Sequence, residues 1–87
     1  MKKIVLDCGV EINIDERDLG NMELFDALVA IDDGDLTAVP RIFHFLMSKE
    51  DKKALYDALR VDGRVPVGKV VEALKELFDK LGEQGKN

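Results

Sequence analysis

The sequence has very few of the residues on which disulfides, metal sites and many catalytic sites are built. It contains one cysteine (Cys8), one histidine (His44), one serine (Ser48) and no tryptophan. A single cysteine excludes an internal disulfide and is typical of a reducing compartment. Because His44 has no cysteine or carboxylate at ligand spacing in the sequence around it, neither a metal site nor a catalytic base is expected there.

The sequence also lacks a long apolar run and a basic stripe. No stretch approaches the ~18 apolar residues that suggest a membrane span, and the N-terminal apolar run stops at Asp7, so neither a membrane partner nor secretion is expected. Residues 1–35 carry three bases against ten acids, a net charge of −7, whereas residues 36–87 carry ten bases against eight acids, a net charge of +2. A protein that grips phosphates needs clustered bases, so nucleic acid is not expected as a partner.

The chain length and the pattern of apolar residues predict one small α+β domain. The 87 residues leave no room for a second domain. Alternating apolar positions predict a β-hairpin over 3–14, and helical periodicity predicts a compact bundle of four helices over about 21–33, 36–47, 49–60 and 66–81. We expect residues 1–82 to form the domain, Gly82 to end the last helix and residues 83–87 to be a flexible tail.

The register of the hairpin can be predicted from its turn. A two-residue loop at Cys8-Gly9 would set Ile12 opposite Val5. A three-residue loop, Asp7-Cys8-Gly9, sets Ile12 opposite Ile4 instead, gathers the apolar side chains on one face and gives Gly9 the left-handed bulge position. We favour the second register, which leaves two free strand edges.

Polar residues and one glycine mark the helix ends. Asn21 and Ser48 are predicted N-caps, the second with Asp51 three residues later. Gly34 is predicted to end the first helix in a left-handed conformation, and Asp35 to cap the next one. The acidic stretch Ala30–Pro40 is therefore interpreted as a helix joint.

The apolar stripes of the helices divide the chain into expected core and candidate surface. The third helix is expected to be buried mainly through Ala54, Leu55, Ala58 and Leu59, and the last through a continuous valine- and leucine-rich stripe. The first helix carries two stripes, which is typical of a helix that touches two neighbours. The second of these stripes, the off-stripe aromatic of the second helix and two acids that oppose the helix dipole form the predicted partner-binding set: Met22, Phe25, Val29, Asp32, Asp33 and Phe45.

The sequence does not match the motifs of calcium-binding loops or of acyl carrier proteins. An EF-hand loop with Gly34 at its sixth position would place Val29 and Ile31 at ligand positions, and the frame around Gly63 fails in the same way. Ser48 lacks the Asp-Ser-Leu context in which acyl carrier proteins attach their prosthetic group. We therefore predict no catalytic residue, no metal and no cofactor, and a protein that is not an enzyme.

Two motifs carry a resemblance to a known family. The joint "LVAIDDGD" and the segment "LRVDGRVP", followed by a valine-rich amphipathic helix, resemble the tail assembly chaperones of long-tailed bacteriophages and prophages, over about Lys3 to Leu81. The resemblance implies a non-enzymatic protein of the bacterial cytoplasm, absent from the mature virion, that binds the tape measure protein during tail morphogenesis. It also implies a longer, frameshifted form of the same chain as a further partner, and it assigns no role to any single residue.

Two other functions compete with this expectation. The first is a self-assembling structural or adaptor module, in which the strand edges of the hairpin pair between copies to give a homo-oligomer. The second is an acidic inhibitor of a basic partner, which the concentration of acids in the N-terminal part disfavours. A concentration-independent monomer would exclude the first, and binding that survives high salt would exclude the second.

Overall fold

The N-terminal hairpin has the predicted register. The computed structural model describes residues 2–84, with side chains up to Leu81. Strands β1 (Lys2–Val5) and β2 (Glu11–Ile14) are antiparallel, with Ile4 opposite Ile12. The Leu6 N–H donates to the Val10 carbonyl at 2.9 Å, and Gly9 has a φ of +91°. The three-residue loop is confirmed, because only a residue that tolerates positive φ can close it in this way.

Four helices follow the hairpin, as the periodicity predicts. They are α1 (Met22–Asp32), α2 (Val39–Leu46), α3 (Lys49–Leu59) and α4 (Val67–Gln84). The α+β class is therefore confirmed. Two short 3-10 helices, Glu16–Gly20 and Leu36–Ala38, precede α1 and α2. The first of these was not predicted. The prediction that Gly82 ends the last helix is wrong, since α4 runs through it; of the predicted tail, residues 85–87 lie outside the described residues.

The predicted caps form. The Asn21 side chain accepts from the Glu23 N–H at 2.9 Å, and the Ser48 hydroxyl accepts from the Asp51 N–H at 3.1 Å. At the end of α1, Gly34 has a φ of +90°. Its N–H and that of Asp35 each donate to a carbonyl of the last turn, both at 2.9 Å, which is the Schellman arrangement. The acidic joint is thus a pair of helix ends.

All elements share one apolar core. Its largest fully buried side chains come from both strands and all four helices: Phe43, Ile4, Ile12, Ile14, Leu24, Ile42, Leu55 and Leu77. In α3 the expectation is partly wrong, because Ala54 and Ala58 are exposed and only Leu55 is fully buried. The half-buried Tyr56 supplies the missing contact.

Tyr56 anchors α3 through an aromatic stack. Its ring meets the ring of Phe43 edge-on, with centroids 5.5 Å apart and an interplanar angle of 89°. The Lys52 ammonium lies 5.4 Å from the Tyr56 centroid. An edge-to-face pair adds ~0.5–1.5 kcal/mol to the burial of the rings, so an aromatic residue rather than two alanines holds this helix.

Charged side chains from the helices occupy both edges of the hairpin. At β1 and the turn that follows it, the Val5 carbonyl accepts from Lys80 at 2.6 Å and the Asp7 N–H donates to Glu76 at 2.7 Å. On β2, the Asn13 N–H donates to Asp51 at 3.0 Å. Each of these backbone groups points away from the partner strand. The expectation of two free strand edges is therefore wrong, because α4 and α3 cover parts of them.

The connection between α3 and α4 is a tight reversal. Val61 and Arg64 form an isolated antiparallel bridge, and Asp62 and Gly63 between them have φ values of 51° and 79°. Two successive residues with positive φ are the mark of a type I′ turn. Among the described residues, no helix is both long enough and apolar enough to span a bilayer.

Candidate functional site

One face of α1 is apolar and uncovered. Leu24 and Ala27 are buried in the core, whereas Met22, Phe25 and Val29 are 64%, 57% and 46% exposed. Helix α1 packs against α2 and the 3-10 helix Leu36–Ala38, while its second stripe is exposed, as the predicted partner-binding set requires. A helix normally buries its apolar side chains, and a cluster of exposed ones marks a binding surface more often than a chance exposure.

The uncovered face of α1 borders a groove. Helix α1 packs closely against α2, and α4 packs against α3 and β1, but α1 and α4 are not a closely packed pair among the described residues. The gap between them has a volume of about 510 Å³. We call it the α1–α4 groove, and it is lined by Phe25, Leu28, Val29, Ile31, Asp32, Ile42, Val71, Leu74, Lys75, Phe78 and Asp79.

Side chains at the margin of the core form the α4 wall of the groove. Val70, Leu74 and Leu77 are buried, while Val71 and Phe78 are only half-buried. The sequence interpretation assigned all five to the core stripe. The seven-residue spacing of Val71 and Phe78 places them at the edge of the apolar stripe, but it does not indicate whether a neighbouring element covers that edge.

The groove carries charged side chains on both walls. Asp32 lies on α1, and Lys75 and Asp79 lie on α4. None of these three side chains forms a salt bridge with another described residue. Helix α1 contains no basic residue, and its last turn ends in Asp32. The groove therefore combines apolar surface with two carboxylates available to a ligand.

The structure brings together only part of the predicted partner-binding set. Phe25, Val29 and Asp32 line the groove, and Met22 lies one turn before Phe25 on the same helix. Asp33 is the exposed C-cap of α1 and does not line the groove. Phe45 is half-buried against the core and lines a separate cavity with His44, so it is not part of this surface.

The groove contains no arrangement typical of catalysis. Its lining residues are apolar except for the three charges, and residues 2–81 contain no group of three His, Cys, Asp or Glu side chains placed to hold a metal ion. Cys8 is an exposed free thiol in the hairpin turn. What the groove can do is bind apolar surface and cations.

The strongest electrostatic shifts occur away from the groove. Hydrogen bonds from the Arg17 side chain and backbone lower the pKa of Asp15 to about 2. At Glu76, partial burial raises the pKa, but hydrogen bonds from Lys80 and the Asp7 N–H outweigh it and hold the pKa below its ordinary value. Both carboxylates stabilise local structure, whereas the groove acids Asp32 and Asp79 form no salt bridge with a described side chain.

Comparison of the chain with protein-family models, with curated proteins and with solved structures finds no match.

Proposed function

We propose that the protein is a non-enzymatic tail assembly chaperone, which holds a helical segment of the tape measure protein in the α1–α4 groove during phage tail morphogenesis. The observation that carries the proposal is the exposure of Phe25 and Val29 at the lip of an open apolar groove. The motif resemblance over residues 3–81 is the reason for naming the tape measure protein as the client, and the groove is the surface that we propose binds it.

The dimensions of the groove suit a short amphipathic helix. At ~1.5 Å per residue, the walls from Phe25 to Asp32 and from Val71 to Asp79 are each ~10–12 Å long. They match about two turns of a bound helix, whose apolar side chains at i, i+3, i+4 and i+7 would point into the groove. Phe25 and Phe78, one on each wall, are the aromatic anchors that dominate such contacts.

The net negative charge of the chain opposes self-association through its exposed apolar face. A chaperone must display apolar surface to its client without associating with itself, and a net charge of −5 favours the dispersed state. Since the tape measure protein of the resembled family is long, helical and prone to aggregate, the same apolar surface would keep its segments in solution.

Co-expression tests the proposal. The tape measure protein encoded by the same genome is expected to precipitate alone and to co-purify with this protein when both are produced. The double variant Phe25→Ser, Phe78→Ser is expected to lose the complex. Leu19→Ser is the matched control, because Leu19 is also exposed but does not line the groove. A client that stays soluble alone, or a complex that survives the double variant, would refute the proposal.

Self-assembly is the second candidate, and the same exposed face of α1 favours it. Two copies could bury Met22, Phe25 and Val29 against each other as a symmetric dimer. Pairing through the hairpin edges is less favourable, because Glu76, Lys80 and Asp51 already bond to edge backbone groups. Light scattering across a dilution series decides: a constant monomer mass excludes self-assembly.

A further inference from the structure

We infer that the helix bound in the α1–α4 groove carries lysine or arginine on both flanks of its apolar anchors. The inference rests on the proposed function, since it specifies the chemistry of the client segment. Its basis is one carboxylate on each wall that forms no salt bridge with another described side chain, Asp32 on α1 and Asp79 on α4.

The geometry of a helix in a groove connects these two acids to the two flanks of the ligand. A bound helix directs its apolar stripe to the floor, formed here by Ile42 and Leu74. The positions beside that stripe then face the two walls, as the e and g positions of a coiled coil face its partner helix. Basic residues at those positions would meet Asp32 on one side and Asp79 on the other.

The end of α1 adds to the preference for a cation. Asp32 is the last residue of α1, and the last turn contains no basic residue. The C-terminal end of a helix carries partial negative charge that favours cations. A lysine or arginine of the ligand would therefore interact favourably with both the carboxylate and the helix dipole.

The same charges disfavour a second copy of this chain as the occupant. Helix α1 has three acids and no base between Met22 and Asp32. If two copies met through this face, their acidic α1 helices would be brought together, and like charges at an interface oppose association. A basic amphipathic helix has the complementary charge.

Lys75 is expected to have the opposite effect on the affinity for a basic ligand. It lies one turn before Asp79 on the same wall, and it has no salt-bridge partner among the described side chains. Since it repels a basic ligand, replacing it with glutamine should strengthen binding, whereas replacing either aspartate should weaken it. A purely structural role for these residues would not produce opposite effects.

Three synthetic peptides test the inference. Each has about 14 residues, long enough for the groove at ~1.5 Å per residue, and leucines at i, i+3, i+4 and i+7. The flanking positions are lysine in one peptide, glutamine in the second and glutamate in the third. Fluorescence anisotropy is measured at ~50 mM and ~500 mM salt, where screening differs strongly. We expect the lysine peptide to bind about tenfold more tightly than the glutamine peptide at low salt, and the glutamate peptide most weakly.

Variants of the protein assign the preference to the groove. Asp32→Asn with Asp79→Asn should reduce lysine-peptide affinity about fivefold to tenfold and leave glutamine-peptide affinity unchanged. Lys75→Gln should raise lysine-peptide affinity about twofold. Asp62→Asn is the matched control, because it removes one exposed acid from a turn outside the groove and asparagine tolerates its positive φ.

The outcomes separate this inference from the proposed function. If the lysine and glutamine peptides bind equally, or if the double asparagine variant behaves like wild type, the charge preference is refuted while the groove remains a client site. If the peptides bind but the tape measure protein is not solubilised, the proposed function fails and the preference for basic helices stands.

Discussion

The two flanks of helix α4 differ in how completely their side chains are paired and buried. Toward the hairpin, Glu76 and Lys80 form an ion pair of 2.9 Å, and each also hydrogen-bonds to the backbone of β1 or its turn. Toward the groove, Val71 and Phe78 are half-exposed and Asp79 has no salt bridge within the described residues. The same helix thus completes its contacts on one side and leaves them open on the other.

The difference teaches how to interpret the exposed apolar surface. A chain too short to cover its surface would leave unsatisfied groups everywhere, yet residues 2–81 contain no buried side-chain polar atom without a hydrogen-bond partner. Among residues 2–81, three of the eight exposed large apolar side chains lie together on α1 (Met22, Phe25 and Val29), whereas the other five lie one each on five other segments. This concentration supports binding as the reason for the groove.

The largest difference in stability is expected between substitutions of two phenylalanines, Phe43 in the core and Phe25 in the groove wall. Phe43→Ala should destabilise the fold by ~3–5 kcal/mol, since Phe43 is 1% exposed and its loss leaves a cavity. Phe25→Ala should change stability by less than ~0.5 kcal/mol, because its ring already faces water. Urea unfolding measures both. Similar losses in the two variants would show that the groove wall is part of the core.

Hydrogen exchange should separate α3 from α4. Among the described side chains α3 buries only Leu55 fully, whereas α4 buries five: Val70, Ala73, Leu74, Leu77 and Leu81. Local openings are cheapest where few apolar contacts hold an element. We expect amides of residues 49–59 to exchange at least about tenfold faster than those of residues 67–81, a difference of ~1.4 kcal/mol. Equal protection would contradict the assigned core.

The contacts that join α4 to β1 should contribute less. Glu76→Ala removes the acceptor of the Asp7 N–H and the partner of Lys80, and should cost ~1–2 kcal/mol in urea unfolding. Glu72→Ala is the control one turn earlier, since Glu72 is exposed and forms no salt bridge with a described residue. Equal effects of the two substitutions would argue that the hairpin edge needs no such contact.

The smallest effect should be a dependence of stability on acid pH. The hydrogen bonds to Asp15 and Glu76 lower the pKa of each in the fold, to about 2 for Asp15. Such carboxylates stabilise the protein fully above their unfolded pKa values of 3.8 and 4.5 and lose that contribution as pH falls toward the folded values. The thermal midpoint should therefore decline between pH 4.5 and about pH 2, and less steeply in Glu76→Gln. An unchanged slope in that variant would exclude Glu76 as a source.

Local chemistry made much of the fold predictable. The position of Gly9 together with the alternation of Ile4 and Ile12 left one register with a single apolar face. Asn21, Gly34 and Ser48 each stand where only a few residue types stabilise a helix end. These features depend on neighbours in sequence, so the sequence alone identifies them.

Features that depend on tertiary packing were missed. Gly82 costs a helix only ~1 kcal/mol relative to alanine, and α4 continues through it to Gln84. In α3, Tyr56 rather than two alanines reaches the core, because Phe43 of α2 is there to meet it. An Asp-Gly pair such as Asp62-Gly63 is typical of a type I′ turn, but the bridge between Val61 and Arg64 that this turn closes is seen only in the structure.

Only one of the two walls of the candidate site could be predicted from the sequence. The α1 wall could be inferred from a second apolar stripe on one helix, with Asp32 at its end. The α4 wall could not, since Val71 and Phe78 follow the same periodicity as buried neighbours. Only the separation of α1 from α4 in space distinguishes a lining residue from a core residue here.

The stack of Tyr56 on Phe43 gives the protein a built-in optical probe. The sequence has one tyrosine and no tryptophan, so emission excited near 280 nm arises from a single ring at the joint of α2 and α3. Detachment of α3 will change that signal, whereas a ligand bound in the groove does not contact Tyr56, which is not among the lining residues. Local loosening and client capture can thus be followed separately in the unlabelled protein, provided that the client itself contains neither tyrosine nor tryptophan.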